Sequence, residues 1–208
     1  MSAEFKPVIV ILAAGNSQRF QGVKTLAAIN WLGQQHSMVK LAVDKLRPIN
    51  APIIIATGLY HQQIITSAIP GVSYHYCNQA HLGMGHTIAQ VTQHVLTSLS
   101  ASHIFITLAD QIAIEPAQFL QLAKQSASHP EHIVCSTTSK GLTAPALFPA
   151  QDFTALSQLT GDKGAKSILL AQRKRVISVE LEQALIDIDH QQDLINWNNN
   201  HQHQRGQA

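Results

Sequence analysis

Small residues and two cations follow an apolar run near the beginning of the chain. The run at 7–12 is followed by Ala14 and Gly15, then by Arg19 and Lys24. Because Ala14 and Gly15 carry almost no side chain, backbone N–H groups there can approach an anion closely. Arg19 adds a planar guanidinium fork for phosphate oxygens, and Lys24 adds a point charge. This order of residues predicts a loop that binds a triphosphate, whereas an ordinary loop with two solvated cations is the alternative.

Two better-known phosphate motifs are excluded by their spacing. A Walker loop requires Gly directly before Lys, but Val23 separates Gly22 from Lys24. A dinucleotide fingerprint would need a third glycine after Gly83 and Gly85, and Ile88 stands at that position. The phosphate loop therefore belongs to another class.

The elements around this loop alternate between strands and helices. Apolar runs of strand length occur at 8–12, 53–56, 72–76, 104–108, 133–135 and 146–148. Helical spacing of apolar residues occurs at 38–46 and 87–99, and Pro116 begins a further helix. The pattern predicts an α/β fold with a mostly parallel central sheet. Ligands bind at the carboxyl edge of such sheets, where the loop at 13–24 and Asp110 both lie.

Composition limits the classes of protein that this chain can belong to. With 208 residues, of which 45% are hydrophobic and 12% charged, it can bury one core, so we expect one domain at 1–197 and a polar, disordered tail at 198–208. A net charge of +2 is too small to suggest a nucleic-acid surface, so we expect no nucleic acid as partner. No apolar stretch is long enough for a membrane span, and no signal peptide precedes the first strand, so we expect a cytoplasmic protein.

Histidine and cysteine offer an alternative site. His75, Cys77, His81 and His86 lie close in sequence, but their spacing matches no common zinc pattern. Cys77 and Cys135 are the two cysteines of the chain, and a reducing compartment would keep both as thiols. We expect no metal at this cluster.

The motifs together resemble a known family, the NTP transferases related to molybdenum cofactor cytidylyltransferase. They are Leu12-Ala13-Ala14-Gly15 with Ser17, Arg19-Phe20 and Lys24; Asn78 with Gly83-Met84; Leu108-Ala109-Asp110-Gln111; the segments 145–149 and 160–165; and Asp187-Ile188-Asp189 with Asp193-Leu194. The resemblance extends from about residue 8 to residue 195 and implies a three-layer, Rossmann-like nucleotidyltransferase domain. Three segments depart from the family pattern: Gln21-Gly22, 84–88 and Thr143-Ala144-Pro145.

The resemblance also implies roles for individual residues. Leu12, Ala13, Ala14 and Gly15 would line the base and ribose, with Asn78 and Gly83 also at the base. Ser17 and Arg19 would hold the β- and γ-phosphates, and Lys24 would neutralise the α-phosphate. Lys24, Arg19 and Asp110 are therefore the expected catalytic residues.

Asp110 is the metal ligand that the resemblance implies. Mg²⁺ takes one or two carboxylates together with phosphate oxygens and waters, and we expect Asp189 to be the second ligand, with Asp187 next. The structural alternatives are that Asp110 caps the helix at Pro116 and that Asp189 caps a helix at 190–197.

Three functions fit the sequence. The first is transfer of CMP from CTP to a molybdopterin-type molybdenum cofactor, with a molybdoenzyme or its chaperone as a further partner; Ala14 favours it, since related guanylyltransferases typically carry glycine there. The second is transfer to another phosphorylated acceptor, such as a sugar phosphate. The third is a nucleotide-binding chaperone without catalysis. Asp162 and Lys163 are expected to cap and begin the helix at 164–170, with a role at the acceptor as the alternative.

Overall fold

Alternate side chains of the first strand, β1 (Pro7–Ala13), pack on opposite faces of one sheet. In the computed structural model, which describes residues 4–17, 19–20 and 22–201, the side chains at even positions 8–12 join one hydrophobic cluster. Those at odd positions 9–13 join a second cluster on the other face. A strand covered on both faces has no side that needs polar residues, which explains its uninterrupted apolar sequence.

Nine strands and seven α-helices are formed by the described residues. The other strands are β2 (Ala28–Trp31), β3 (Gln34–Ser37), β4 (Ile53–Thr57), β5 (Ser73–Tyr76), β6 (His103–Leu108), β7 (Ile133–Thr138), β8 (Gly141–Pro149) and β9 (Val176–Glu180). The helices are α1 (Met38–Leu46), α2 (His61–Ile65), α3 (Met84–Ser98), α4 (Pro116–Ser128), α5 (Phe153–Ser157), α6 (Lys166–Ala171) and α7 (Gln191–His201).

Seven strands form the central sheet in the order β5-β4-β1-β6-β8-β7-β9. All neighbouring pairs are parallel except the two pairs that contain β8. Helices α3, α5 and α6 pack on one face, and α1, α2 and α4 pack on the other. The predicted three-layer α/β fold with a mostly parallel sheet is confirmed.

A hairpin formed by β2 and β3 is absent from the sequence prediction. The two strands pair antiparallel around Leu32 and Gly33, whose φ angles are 47° and 72°. Positive φ at both positions is the geometry of a two-residue hairpin turn, in which Asn or Asp usually stands where this chain has Leu32. Because β3 is entirely polar, neither the turn nor the strand gave a signal apart from Gly33.

The last helix continues into the segment that was predicted as a disordered tail. Trp197 and Leu194 of α7 pack on a third hydrophobic cluster, and the Asn198 side chain accepts a hydrogen bond from the backbone N–H of Asn30 at 2.8 Å. These contacts hold residues 198–201 in the helix, and residues 202–208 lie outside the described residues. None of the described helices is long and apolar enough to cross a membrane.

Candidate active site at the carboxyl edge

Three predicted site residues from distant parts of the chain meet at the carboxyl edge of the sheet. The Lys24 Nζ donates to Asp110 Oδ2 at 2.6 Å and to Asp189 Oδ1 at 3.0 Å. Asp110 lies just beyond the end of β6, and Asp189 lies two residues before α7. The two carboxylates therefore converge on a single cation position, which the Lys24 ammonium takes.

The charges of this cluster are mutually dependent. Burial lowers the pKa of Lys24, but the charge and hydrogen bonds of Asp110 and Asp189 outweigh it, so that the pKa is raised. The hydrogen bond from Lys24 lowers the pKa of Asp189. Partial desolvation, and then repulsion from Asp110 and Asp189, raise the pKa of Asp187 to about 6. Lys24 thus favours the ionised form of Asp189, whereas burial and its neighbours favour the protonated form of Asp187.

The capping roles that were the alternatives for Asp110 and Asp189 are filled by other residues. Glu115 caps α4 and forms a capping box with Gln118. Near α7, the Asp193 carboxylate accepts from the backbone N–H groups of Asp189 and His190 at 3.0 and 2.7 Å. Asp110 and Asp189 are therefore not needed as helix caps.

The loop after β1 exposes its small residues. Leu12 and Ala13 are buried, whereas Gly15 is exposed and a methyl group built on it would meet no atom within 4 Å. The backbone N–H of Lys24 donates to Ser17 Oγ at 3.2 Å, which closes the loop. Arg19 is exposed, and its charge contributes to the lowered pKa of Asp189.

Gly58, which the sequence prediction missed, joins this loop to the segment that begins at Asn78. A Cβ atom at Gly58 would lie 2.7 Å from the Ala14 carbonyl oxygen and 2.9 Å from Ala80 Cβ, so only glycine permits this approach. Asn78 Oδ1 accepts from Gln90 Nε2 at 2.6 Å. The Asn78 side chain is thereby held against α3.

Gly83 packs against the turn at 160–162. Its φ is 118°, and a Cβ atom there would lie 2.4 Å from Asp162 Oδ1 and 2.5 Å from the Gly161 backbone. The expectation that Asp162 caps the next helix is wrong, because α6 begins at Lys166 with Ala165 as its uncapped N-cap. Asp162 instead lies in the turn that packs on Gly83. Close packing against this turn therefore requires glycine at position 83, in addition to its predicted role at the base.

We expect Gly83→Ala to destabilise the protein by about 3 kcal/mol or more. Positive φ costs a residue with a side chain about 1–3 kcal/mol, and the collision with the 160–162 turn adds about 1–3 kcal/mol. Gly141→Ala is the matched control, since Gly141 has a φ of 93° but no atom within 4 Å of an added Cβ. The free energy of unfolding of both variants is measured with urea. If Gly83→Ala and Gly141→Ala lost the same amount, the 160–162 turn would move away from the added methyl group at no energetic cost.

An apolar cleft of about 160 Å³ opens beside these loops. Leu12 and Leu108 line it at the ends of β1 and β6, and Met84 lines it at the start of α3. Thr143 supplies the one hydroxyl among the described lining residues, and Lys163 and Lys166 are exposed on its far side. The cleft is continuous with the strand end that carries Asp110.

Comparison with known proteins identifies the family of this chain. A family model described as the MobA-like NTP transferase domain matches residues 9–176. The chain belongs to the MobA-like NTP transferase family. It is therefore a nucleotidyltransferase, and its family implies a nucleoside triphosphate as substrate. A search of curated proteins gives no match.

Solved structures share the fold of this MobA-like transferase at low identity. Rv0371c from Mycobacterium tuberculosis H37Rv is 20% identical with a TM-score of 0.76, over 94% of this chain and 99% of that one. The Methanothermobacter nucleotidyl transferase Mth528 is 15% identical with a TM-score of 0.77, over 94% and 97%. A second Rv0371c structure, a manganese complex, is 19% identical with a TM-score of 0.71, over 93% and 98%. At these identities the likeness establishes the fold.

The carboxylates of this MobA-like transferase fit a divalent cation that arrives with phosphate. Asp110 Oδ1 is buried without a hydrogen-bond partner, and Asp110 Oδ2 already contacts one cation. Among the described residues no group of three or more His, Cys, Asp or Glu is arranged to hold a metal, so phosphate oxygens and waters would complete the coordination.

At the histidine cluster, Cys77 is buried, and burial raises the pKa of its thiol to about 12.

Lys45 is a buried cation behind the site, and its burial is not predicted by the sequence. Its side chain is 1% exposed, and its Nζ donates to the Ile112 carbonyl at 2.7 Å and to Glu115 Oε1 at 3.0 Å. It also lies 5.0 Å from the centre of the Trp31 ring. Burial lowers the pKa of Lys45, although Glu115 opposes the shift. Lys45 anchors the segment that follows Asp110 to α1.

Proposed function

We propose that this protein transfers CMP from CTP to a molybdopterin-type molybdenum cofactor and releases pyrophosphate. The observation that carries the proposal is the convergence of Lys24, Asp110 and Asp189 beside an exposed loop of small residues. In this reaction a phosphate oxygen of the acceptor attacks the α-phosphorus of the triphosphate. The bond between that phosphorus and the bridging oxygen breaks, and pyrophosphate leaves with the electron pair.

Different residues of the loop would bind different phosphates of the triphosphate. Backbone N–H groups at Ala14 and Gly15 would approach phosphate oxygens closely, because these residues carry almost no side chain. Ser17 and the exposed Arg19 would hold the β- and γ-phosphates, and Lys24 would neutralise charge at the α-phosphate. A bound Mg²⁺ would supply further positive charge for the leaving pyrophosphate. Asp110 and Asp189 are the residues that would hold it.

The apolar cleft suits a molybdopterin-type acceptor. Leu12, Met84 and Leu108 offer a surface on which a flat ring system can pack, and Lys163 and Lys166 can attract its phosphate. A sugar phosphate would bury hydroxyl groups that need hydrogen-bond partners, and among the described lining residues Thr143 alone carries a hydroxyl. Transfer to a sugar phosphate therefore remains the second candidate, favoured only by the unusual Thr143-Ala144-Pro145 segment.

A chaperone that binds nucleotide without catalysis is the third candidate. Binding alone does not require two carboxylates that face one cation position beside the phosphate loop. Delivery of the product to a molybdoenzyme or its chaperone in the cytoplasm would follow from the proposed reaction.

We expect CTP to be used in preference to GTP and ATP. The methyl group of Ala14, compared with glycine, would narrow the space for a base. The Asn78 side chain, which Gln90 holds, would read the edge of that base. Pyrophosphate release is measured with each triphosphate, with and without molybdenum cofactor, and only the pair of CTP and cofactor should give rapid release. Equal saturation by GTP and CTP would contradict the nucleotide preference, and release that needs a sugar phosphate would favour the second candidate.

A further inference from the structure

The Gln111 side chain forms a buried junction behind the site. It is 4% exposed, and all four hydrogen-bonding positions of its amide are used. Nε2 donates to the carbonyl oxygens of Ala144 and Ala184 at 3.0 and 3.3 Å. Oε1 accepts from Thr107 Oγ1 and from the backbone N–H of Leu108, both at 3.4 Å. No lone pair or proton of this amide is left to bind substrate.

The partners of Gln111 belong to three different parts of the site. Leu108 ends β6, two residues before Asp110. Ala144 lines the apolar cleft. Ala184 lies in the short 3-10 helix Glu182–Leu185, which leads directly into the segment that carries Asp189. A single amide therefore ties together the strand end of Asp110, the floor of the cleft and the segment of Asp189.

The spacing that these bonds maintain is narrow. Lys24 Nζ contacts the two carboxylates at 2.6 and 3.0 Å, so a shift of about 1 Å between their segments would break one contact. Asp110 and Asp189 have no hydrogen bond to each other, and like charges would drive them apart. A fixed connection behind them opposes that separation.

We propose that Gln111 is a positioning residue that sets the distance between Asp110 and Asp189, and through it the affinity for a divalent cation bound with triphosphate; this rests on the proposed function. An apolar side chain of equal size would fill the same volume. It would leave the carbonyl groups of Ala144 and Ala184 and the N–H of Leu108 buried without these partners, and the segments would shift to find others.

Gln111→Met tests the proposal, because it keeps the length of the side chain and removes its hydrogen bonds. Ser136→Ala is the matched control: Ser136 is fully buried and its Oγ donates to the Pro145 carbonyl at 3.3 Å, next to Ala144, so the substitution removes a buried hydrogen bond that joins neither the strand end of Asp110 nor the segment of Asp189. Binding of Mn²⁺ in the presence of saturating CTP, without acceptor, is followed by the loss of the free Mn²⁺ electron paramagnetic resonance signal, and thermal unfolding is measured for each variant.

We expect Gln111→Met to weaken Mn²⁺ binding at least about tenfold, while Ser136→Ala stays within about twofold of the wild type at a comparable loss of thermal stability. Thr107→Val, which removes one bond to Gln111 and leaves the other three, should weaken it about threefold, and it decides the question if Gln111→Met does not fold. Unchanged Mn²⁺ binding in Gln111→Met, or in Thr107→Val in that case, would overturn the positioning role. Wild-type protein that binds Mn²⁺ and CTP but never releases pyrophosphate would contradict the proposed function, and a tenfold loss in Gln111→Met would then still support the positioning role.

Discussion

Asp110→Asn is expected to reduce nucleotidyl transfer at least about a hundredfold while the protein keeps its fold. Asparagine has the shape of aspartate but lacks the negative charge that holds the Lys24 ammonium at 2.6 Å. It also places an amide where Oδ1 is buried without a partner, so the ligand available to a divalent cation is lost. The rate should fall because the two cations that the proposed reaction uses to neutralise the triphosphate, Lys24 and Mg²⁺, both depend on this carboxylate.

Asp152→Asn separates this effect from a general loss of stability. Like Asp110, Asp152 has one buried oxygen without a hydrogen-bond partner, and its other oxygen accepts from Arg175 at 2.5 Å. It lies in the 3-10 helix Ala150–Asp152, away from the phosphate loop. Asp152→Asn should lower the free energy of unfolding and leave pyrophosphate release nearly unchanged. If Asp110→Asn kept its full rate, Asp110 would be excluded from the reaction.

The fold was predictable because strands that are buried on both faces of the sheet have uninterrupted apolar sequences. The apolar runs of β1, β4 and β6 are long enough to identify a covered parallel sheet, and their order gives the carboxyl edge. The hairpin of β2 and β3 left no such record, because its polar second strand contributes little to the core. The start of α3 was predicted three residues late, since Gly83 and the 160–162 turn determine it.

The site was predictable as a set of residue types and not as a set of distances. Lys24 and Asp110 are 86 residues apart, and no spacing rule indicates that they touch. Gln111 and Lys45 belong to residue types that are usually exposed, so the sequence gives no sign that both are buried behind the site. Burial of a polar side chain depends on tertiary partners, here Ala144, Ala184 and Ile112.

Lys24→Met is expected to change two binding equilibria in opposite directions. The ammonium now takes the position on which the carboxylates of Asp110 and Asp189 converge, so a divalent cation must displace it. Removing it leaves two facing carboxylates without their cation, and Mn²⁺ should bind the free protein at least about tenfold more tightly. Removing it also takes one charge-assisted contact from the triphosphate, worth about 1.5–3 kcal/mol, so half-saturation by CTP should need about 10- to 100-fold more nucleotide.

Arg19→Met is the control that distinguishes competition from a general loss of positive charge. Arg19 lies in the same loop and is exposed, and it makes no hydrogen bond to Asp110 or Asp189. Its removal should weaken CTP binding, and Mn²⁺ binding to the free protein should tighten far less than in Lys24→Met, because Arg19 acts on Asp189 through its charge and does not occupy the cation position. Calorimetric titration of each variant with Mn²⁺ and, separately, with CTP measures both equilibria. If Lys24→Met bound Mn²⁺ no more tightly than Arg19→Met, the Lys24 ammonium would not compete for the cation position. If Lys24→Met bound Mn²⁺ more tightly, the ammonium and the metal would compete for Asp110 and Asp189. Nucleotide binding would then be the event that moves Lys24 toward phosphate and frees the carboxylates for the metal.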